Sequence, residues 1–125
     1  EQALRSLADS ADVEEKIRAI EVLAAAPGEA SVKALTGVLS DPAPDIRIAA
    51  IDGLAALDAR AALPQILRSL RDAHPGVRRS AATAVGLLGR AENVSQLKPL
   101  IADNDPGVAA AAEMATRKLS AGGKK

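Results

Sequence analysis

The chain repeats itself every 31 residues. Residues 41–72 read DPAPDIRIAAIDGLAALDARAALPQILRSLRD, and a shift of 31 brings Asp41, Asp72 and Asp103 into register. Pro44, Pro75 and Pro106 align in the same way, as do Ala19, Ala50, Ala81 and Ala112. Aliphatic columns follow: Ile46, Val77 and Val108; Leu23, Leu54 and Val85; Val32, Leu63 and Val94; Leu35, Ile66 and Leu97; Leu39, Leu70 and Ile101. Within a unit the apolar residues recur at the three- and four-residue steps of a helix. A short unit with one apolar stripe cannot bury that stripe by itself, so units of this kind stack and bury it against their neighbours.

Taken in order, residues 1–9 form a helix with Leu4, Leu7 and Ala8 on one face, in phase with the second helix of a unit. Residues 12–26 form a first helix, with Glu14 and Glu15 at its positive dipole end and Pro27-Gly28 as its stop. Residues 31–40 form its partner. Pro44 opens the next first helix, because proline at the first helical position gives up an N–H that has no acceptor there. That helix reaches about residue 57 and its partner spans about 61–71, where Pro64 fits only in the first turn. Pro75 opens the third, which ends at Gly89. Its partner at about 92–102 contains Pro99, and interior proline costs roughly 3 kcal/mol. A start delayed to near Ser95, or a kink, is therefore predicted. Pro106 opens a fourth first helix that reaches Leu119. The expected organisation is a single domain over residues 1–119: a half unit (1–10), units 11–41, 42–72 and 73–103, and a half unit (104–119). Residues 120–125, SAGGKK, are expected to be a flexible tail.

The pattern D-x-x-P-x-[IV]-R, with Ala four residues after the Ile or Val and an aliphatic residue at eight, occurs as Asp41-Pro44-Ile46-Arg47-Ala50-Leu54 and as Asp72-Pro75-Val77-Arg78-Ala81-Val85. Over nearly the whole chain this resembles the HEAT repeats, specifically the short HEAT-like kind also found in phycobilisome lyase subunits. The resemblance implies an all-α fold, a right-handed α-solenoid of about eight helices. It implies a scaffold or binding role, with the second helices lining the concave face. It also implies that the Asp and Arg six residues apart, Asp41 with Arg47 and Asp72 with Arg78, form a structural ladder between repeats. Ser10 and Lys16 are a weaker version. Asp103 has Ala109 where Arg would stand, so the ladder is expected to end there.

Composition agrees with a thin two-layer array. Hydrophobic residues make up 48% of the chain, yet there is no Phe, Tyr or Trp. Aromatic residues usually supply large buried areas; here burial has to come from many small contacts between closely spaced helices. Formal net charge is zero, so no global field draws the chain to nucleic acid or an anionic membrane. There is no Cys, which excludes disulfides, thiolate catalysis and Cys-based metal sites. No signal peptide and no membrane-length apolar run is visible. Opening on Glu1, the chain reads as a trimmed segment, and a cytoplasmic location is the expectation.

No catalytic constellation emerges. His74 is the only His, has no carboxylate pair beside it, and sits where it would cap the helix opened by Pro75. Residues 103–105, DND, lack the Gly and Glu of a calcium loop, and Asp105 reads as a helix cap. Asn93-Val94-Ser95 is a glycosylation sequon, meaningful only in a secreted protein. No catalytic, metal or cofactor-binding residue is assigned, and no cofactor is expected.

The expected function is therefore a non-catalytic protein–protein interaction module. Its binding face is expected on the outward positions of the second helices, which vary from repeat to repeat while the inward ones do not. The candidate residues are Lys33, Thr36, Arg68, Arg71 and Lys98. Residues 1–40 carry seven acids against four bases, and residues 72–102 carry two acids against four bases, so an acidic protein partner for the second half is expected. Alternatives are an accessory subunit of a bilin-lyase-like enzyme, or a structural spacer that self-associates through terminal half-repeats, with Leu4 and Leu119 at the contact. The missing aromatics argue against a chromophore cleft and against base stacking on nucleic acid.

Overall fold

The computed structural model describes residues 2–123 and is an α-solenoid. Among the described residues there are eight α-helices: α1 (Gln2–Asp9), α2 (Val13–Ala24), α3 (Glu29–Gly37), α4 (Pro44–Ala56), α5 (Leu63–Ser69), α6 (Pro75–Leu88), α7 (Val94–Ile101) and α8 (Pro106–Gly123). Short 3-10 turns at Val38–Ser40, Arg60–Ala62 and Ala91–Asn93 flank the second helices of the repeats.

Local chemistry sets the starts. Asp12 caps α2 by accepting from the Glu14 N–H at 3.0 Å. Pro44 and Pro75 lie in the first turns of α4 and α6, and Pro64 in the first turn of α5, where each is tolerated. Helix α7 starts at Val94, so Pro99 is inside it. The Ala91–Asn93 turn consumes the residues that would otherwise have extended the helix backwards.

At the other end of α4 the chain turns through a left-handed residue, Asp58, with φ 53°. The Ala59 N–H reaches the Leu54 carbonyl and the Asp58 N–H reaches the Ala55 carbonyl, both at 3.0 Å. This is a Schellman motif, in which glycine is the usual left-handed residue. Helix α8 continues through Gly123, past the Leu119 end expected from sequence. Ser120 and Ala121 carry no stop signal, and Ala121 is a strong helix former, so the helix runs on to the glycines at 122 and 123. The expected flexible tail is thus helical from Ser120 to Gly123; Lys124 and Lys125 lie outside the described residues.

The core is one continuous layer. Leu35, Ile46, Ala50, Ile51, Leu54, Ile66, Val77, Ala81, Val85, Leu97, Val108 and Ala112 are all fully buried. The first helices α2, α4, α6 and α8 stack directly on one another. Each second helix comes closest to the first helix of the following unit: α1 to α2, α3 to α4, α5 to α6 and α7 to α8. By closeness of backbone, the eight helices therefore form four pairs, and the two half units of the sequence are each completed by a neighbour.

Small residues permit the close stacking. A Cβ added at Gly86 would lie 2.9 Å from the Ala115 Cβ and 3.1 Å from its Cα. One at Gly53 would meet the Ala24 Cβ at 3.2 Å. The same two columns pair Ala24 with Gly53 and Gly86 with Ala115, one repeat and the next.

These columns change character at the outer faces of the array. The column of Ile46, Val77 and Val108 begins with Glu15, and that of Gly53, Ala84 and Ala115 begins with Val22, which is 60% exposed. On α8 the column of Ile20, Ile51 and Ala82 ends in Glu113, and that of Ala24, Ala55 and Gly86 ends in Arg117. Glu113 and Arg117 form an exposed ion pair at 3.5 Å. Thr116 stands in the column of Leu23, Leu54 and Val85, and its buried hydroxyl has no partner. Leu119, proposed from sequence as a contact for self-association, is buried in the core, and Leu4 packs against it half-buried. Neither leucine offers an open apolar end.

Candidate interaction surfaces

The ladder residues fix how successive repeats sit. Three rungs run along the array. Lys16 Nζ meets Asp41 Oδ2 at 2.9 Å. Arg47 forks onto Asp72 through Nε and Nη2, both at 2.9 Å. Arg78 forks onto Asp103 at 3.0 and 3.1 Å. Each cation thus reaches the aspartate 25 residues on, the one that opens the following D-x-x-P turn, rather than the one six residues before it. To the turn just before its own helix it donates at the backbone: Arg47 Nη1 to the carbonyls of Asp41 and Pro42, Arg78 Nη1 to those of Asp72 and Ala73.

Each aspartate also caps its own turn, accepting from the N–H of Ala43, His74 or Asp105 at 2.9 Å. Ser10, which stands where the first Asp would be, keeps only this cap, accepting from the Asp12 N–H at 3.0 Å. The rungs stop at Asp103, consistent with Ala109 where the next cation would stand.

Burial by itself pushes the Asp41 carboxyl up, but the Ala43 N–H and the Lys16 ammonium outweigh it and hold it below the ordinary carboxylate range. Burial likewise raises Asp72, and the Arg47 fork with the His74 N–H overcomes it. At Asp103 the Arg78 hydrogen bonds lead, and the net shift is again downward.

The candidate binding residues divide. A groove of about 310 Å³ lies between α3 and α5, and both Thr36 and Arg68 line it, with Gln65, Ser69 and Asp72. Lys33 on α3 and Lys98 on α7 are exposed, and so is Arg71, which lies in the turn after α5 because that helix ends at Ser69 and not at residue 71; none of the three lines this groove. Thr36 Oγ1 donates to the Val32 carbonyl at 2.7 Å and keeps its lone pairs free to accept. Among the described residues no carboxylate pairs with Lys33, Arg68, Arg71 or Lys98.

Sequence reading missed Gln65. Its side-chain oxygen is buried in the wall of the groove with no hydrogen-bond partner. The signal was present: the column holding Ala3 and Ala34 changes to Gln65 and Gln96. Gln96 is satisfied by the Asn93 amide at 2.9 Å, whereas the Gln65 oxygen is not satisfied.

The remaining polar motifs are engaged in structure. His74 caps α6, its Nδ1 accepting from the Gly76 N–H at 3.0 Å. Asp105 caps α8 through the Val108 N–H at 3.0 Å. Asn93 of the sequon is buried, accepts from the Arg90 N–H and donates to Gln96, so its amide is withdrawn from modification in this fold. Among the described residues no three His, Cys, Asp or Glu side chains converge as metal ligands, and no helix is long and apolar enough to cross a membrane.

The family model for HEAT repeats matches residues 1–66 and 33–117. The chain belongs to the HEAT repeat family. Among solved structures, this HEAT protein is similar to human deoxyhypusine hydroxylase in complex with glycerol, with a TM-score of 0.81 and 23% identity. The match covers 95% of this chain and 42% of that one, so the chain spans less than half of the hydroxylase. At that identity the likeness is one of fold. No curated protein matches the chain in sequence.

Proposed function

We propose that this HEAT array is a non-catalytic scaffold that binds an acidic protein partner along its second helices, centred on the groove between α3 and α5. One observation carries the reading: Arg68, a cation with no carboxylate partner, stands in a concave groove beside Gln65, whose buried oxygen is unsatisfied. A carboxylate-bearing segment would give Arg68 its counter-charge, and rotation of the Gln65 amide toward the groove would let its oxygen accept from the same segment, where an unpaired buried acceptor costs about 1–3 kcal/mol. Lys33, Arg71 and Lys98 extend the same basic row and would steer an acidic partner. The ladder supports this use, because it fixes neighbouring repeats while the outward positions vary.

The test is a pull-down from the source lysate with the wild-type chain beside an Arg68→Glu/Arg71→Glu variant. The reading expects a protein held by the wild type and lost by the variant. Its purified form should bind more weakly as salt rises, with Gln65→Leu also weakening it. A purified partner that binds wild type and the charge-reversed variant equally would refute the second-helix face.

A further inference from the structure

A second groove lies on the opposite row, between the first helices α2 and α4. It encloses about 450 Å³. Its floor is aliphatic, formed by Ile17, Ile20 and Ile48 with the bare backbone of Gly53. Every charged side chain that lines it is acidic: Glu21, Asp45 and Asp52. All three are exposed, and among the described residues none of them has an ion-pair partner. Asp52 has the neutral Ser80 hydroxyl as its neighbour, and burial against the apolar floor pushes its carboxyl up.

This combination occurs once along the array. One repeat on, the position of Ile48 is Arg79 and that of Asp52 is Thr83, while the position of Asp45 is Gly76. Another repeat on, Thr83 gives way to Met114 and Leu87 to Lys118, and the depression between α6 and α8 shrinks to about 50 Å³. The row of first helices therefore carries one apolar groove with a wholly acidic rim, and its cationic residues lie elsewhere on the row.

We propose that the α2/α4 groove docks a partner segment that presents an aliphatic side chain flanked by lysine or arginine. The aliphatic group would cover Ile17 and Ile48, and removing apolar surface from water is favourable at about 25 cal/mol per Å². The flanking cations would face carboxylates that have no counter-charge, which favours this segment over a neutral or acidic one. The surface is separate from the second-helix groove and of opposite charge, so the array would hold an acidic partner on one row and a basic one on the other.

The probe is a fluorescein-labelled peptide, KLSKLSK, titrated with the full chain and followed by anisotropy. Parallel peptides are KGSKGSK, which keeps the cations without the leucines, and ELSELSE, which reverses the charge. The expected result is saturable binding of KLSKLSK alone, weakened at least tenfold by Asp45→Asn/Asp52→Asn and unchanged by Arg68→Glu/Arg71→Glu. Both aspartates are exposed, and matched melting curves check that the variant is folded. Absence of KLSKLSK binding, equal binding of KGSKGSK, or equal binding to the Asp45→Asn/Asp52→Asn variant would each overturn the proposal. Because the Arg68→Glu/Arg71→Glu variant is included, failure here is distinguishable from failure of the second-helix reading.

Discussion

Replacing Arg47 by alanine tests whether the ladder holds the repeats together. Arg47 makes four hydrogen bonds: two charged ones to Asp72 in the turn that leads into α6, and two to the carbonyls of Asp41 and Pro42 in the turn that leads into α4. The Arg47 and Asp72 side chains are 17% and 15% exposed. Breaking a fully buried pair costs about 3–5 kcal/mol, and an exposed pair contributes about 0–1. This rung lies between those limits, at the rim of the turn where water still screens it, so about 2 kcal/mol is expected. For a domain of this size that corresponds to a fall in Tm of roughly 6–8 °C.

Arg60→Ala is the control, since the Arg60–Asp58 pair is 3.4 Å long and mostly exposed, and its loss should cost under about 0.5 kcal/mol. Calorimetry or thermal circular dichroism on both variants, with Asp72→Asn and the Arg47→Ala/Asp72→Asn double variant, closes a cycle whose coupling energy should be about 1–2 kcal/mol. The pH dependence has a definite sign. The Asp72 carboxyl is lowered in the folded state, so its contribution is fully present above the unfolded value near about 4 and is lost as pH falls through the folded one. The wild type should therefore lose stability more steeply in acid than Arg47→Ala. If Arg47→Ala melts like Arg60→Ala at neutral pH and the two share one acid limb, the ladder does not join the repeats.

Three further outcomes follow from the packing. Gly86→Ala should lower stability by about 1–2 kcal/mol despite its better helix propensity, because the new Cβ meets the Ala115 backbone; Gly37→Ala, with nothing within 4 Å, should raise it by about 0.5–1 kcal/mol, both read from chemical denaturation midpoints. Asp58→Gly should stabilise by about 1 kcal/mol in the same assay, since it relieves a left-handed residue and gives up only an exposed pair. Leu54→Asp or Ile66→Asp places a charge at a fully buried site and should abolish the cooperative melt; a normal melt with both would mean the inward columns are assigned to the wrong face.

The period, the inward columns and the first-helix starts were legible because each rests on local chemistry. Pro44, Pro75 and Pro106 mark helix starts wherever the rest of the chain goes, and Ala50, Ala81 and Ala112 must face inward for the helices to approach. The second helices were less legible. A 3-10 turn ends α3 and others begin α5 and α7, and the sequence placed α3 at Ser31 where the helix begins at Glu29. Nothing local distinguishes those turns from another helical turn. Spacing identified Asp41, Arg47, Asp72 and Arg78 as ladder residues, but could not choose between the aspartate six residues before each arginine and the one 25 residues after it, since that choice depends on the rise of the stack. The grooves were the least legible. Thr36 and Arg68 are 32 positions apart yet share one, while Arg71, on the same helix as Arg68 in the sequence reading, does not line it. Groove depth depends on what a column presents in two successive repeats at once.

That dependence explains how one scaffold could carry two unlike surfaces. The ladder and the Ala24–Gly53 and Gly86–Ala115 contacts use inward or edge positions, so they fix the rise between repeats whatever stands outward. A single outward substitution then changes a groove without changing the stack: Ile48 to Arg79 replaces an aliphatic floor by a cation one repeat later. The same logic applies on α2 and α8. Glu15 and Val22 on α2, and Glu113 and Arg117 on α8, occupy columns that elsewhere join helix to helix. At those columns the chain presents Glu15 bonded to the Ser10 hydroxyl, the Glu113–Arg117 ion pair, and a Val22 left 60% exposed. The surface of the first-helix row is thus set by single outward residues, and the α2/α4 groove is where aliphatic side chains meet an acidic rim.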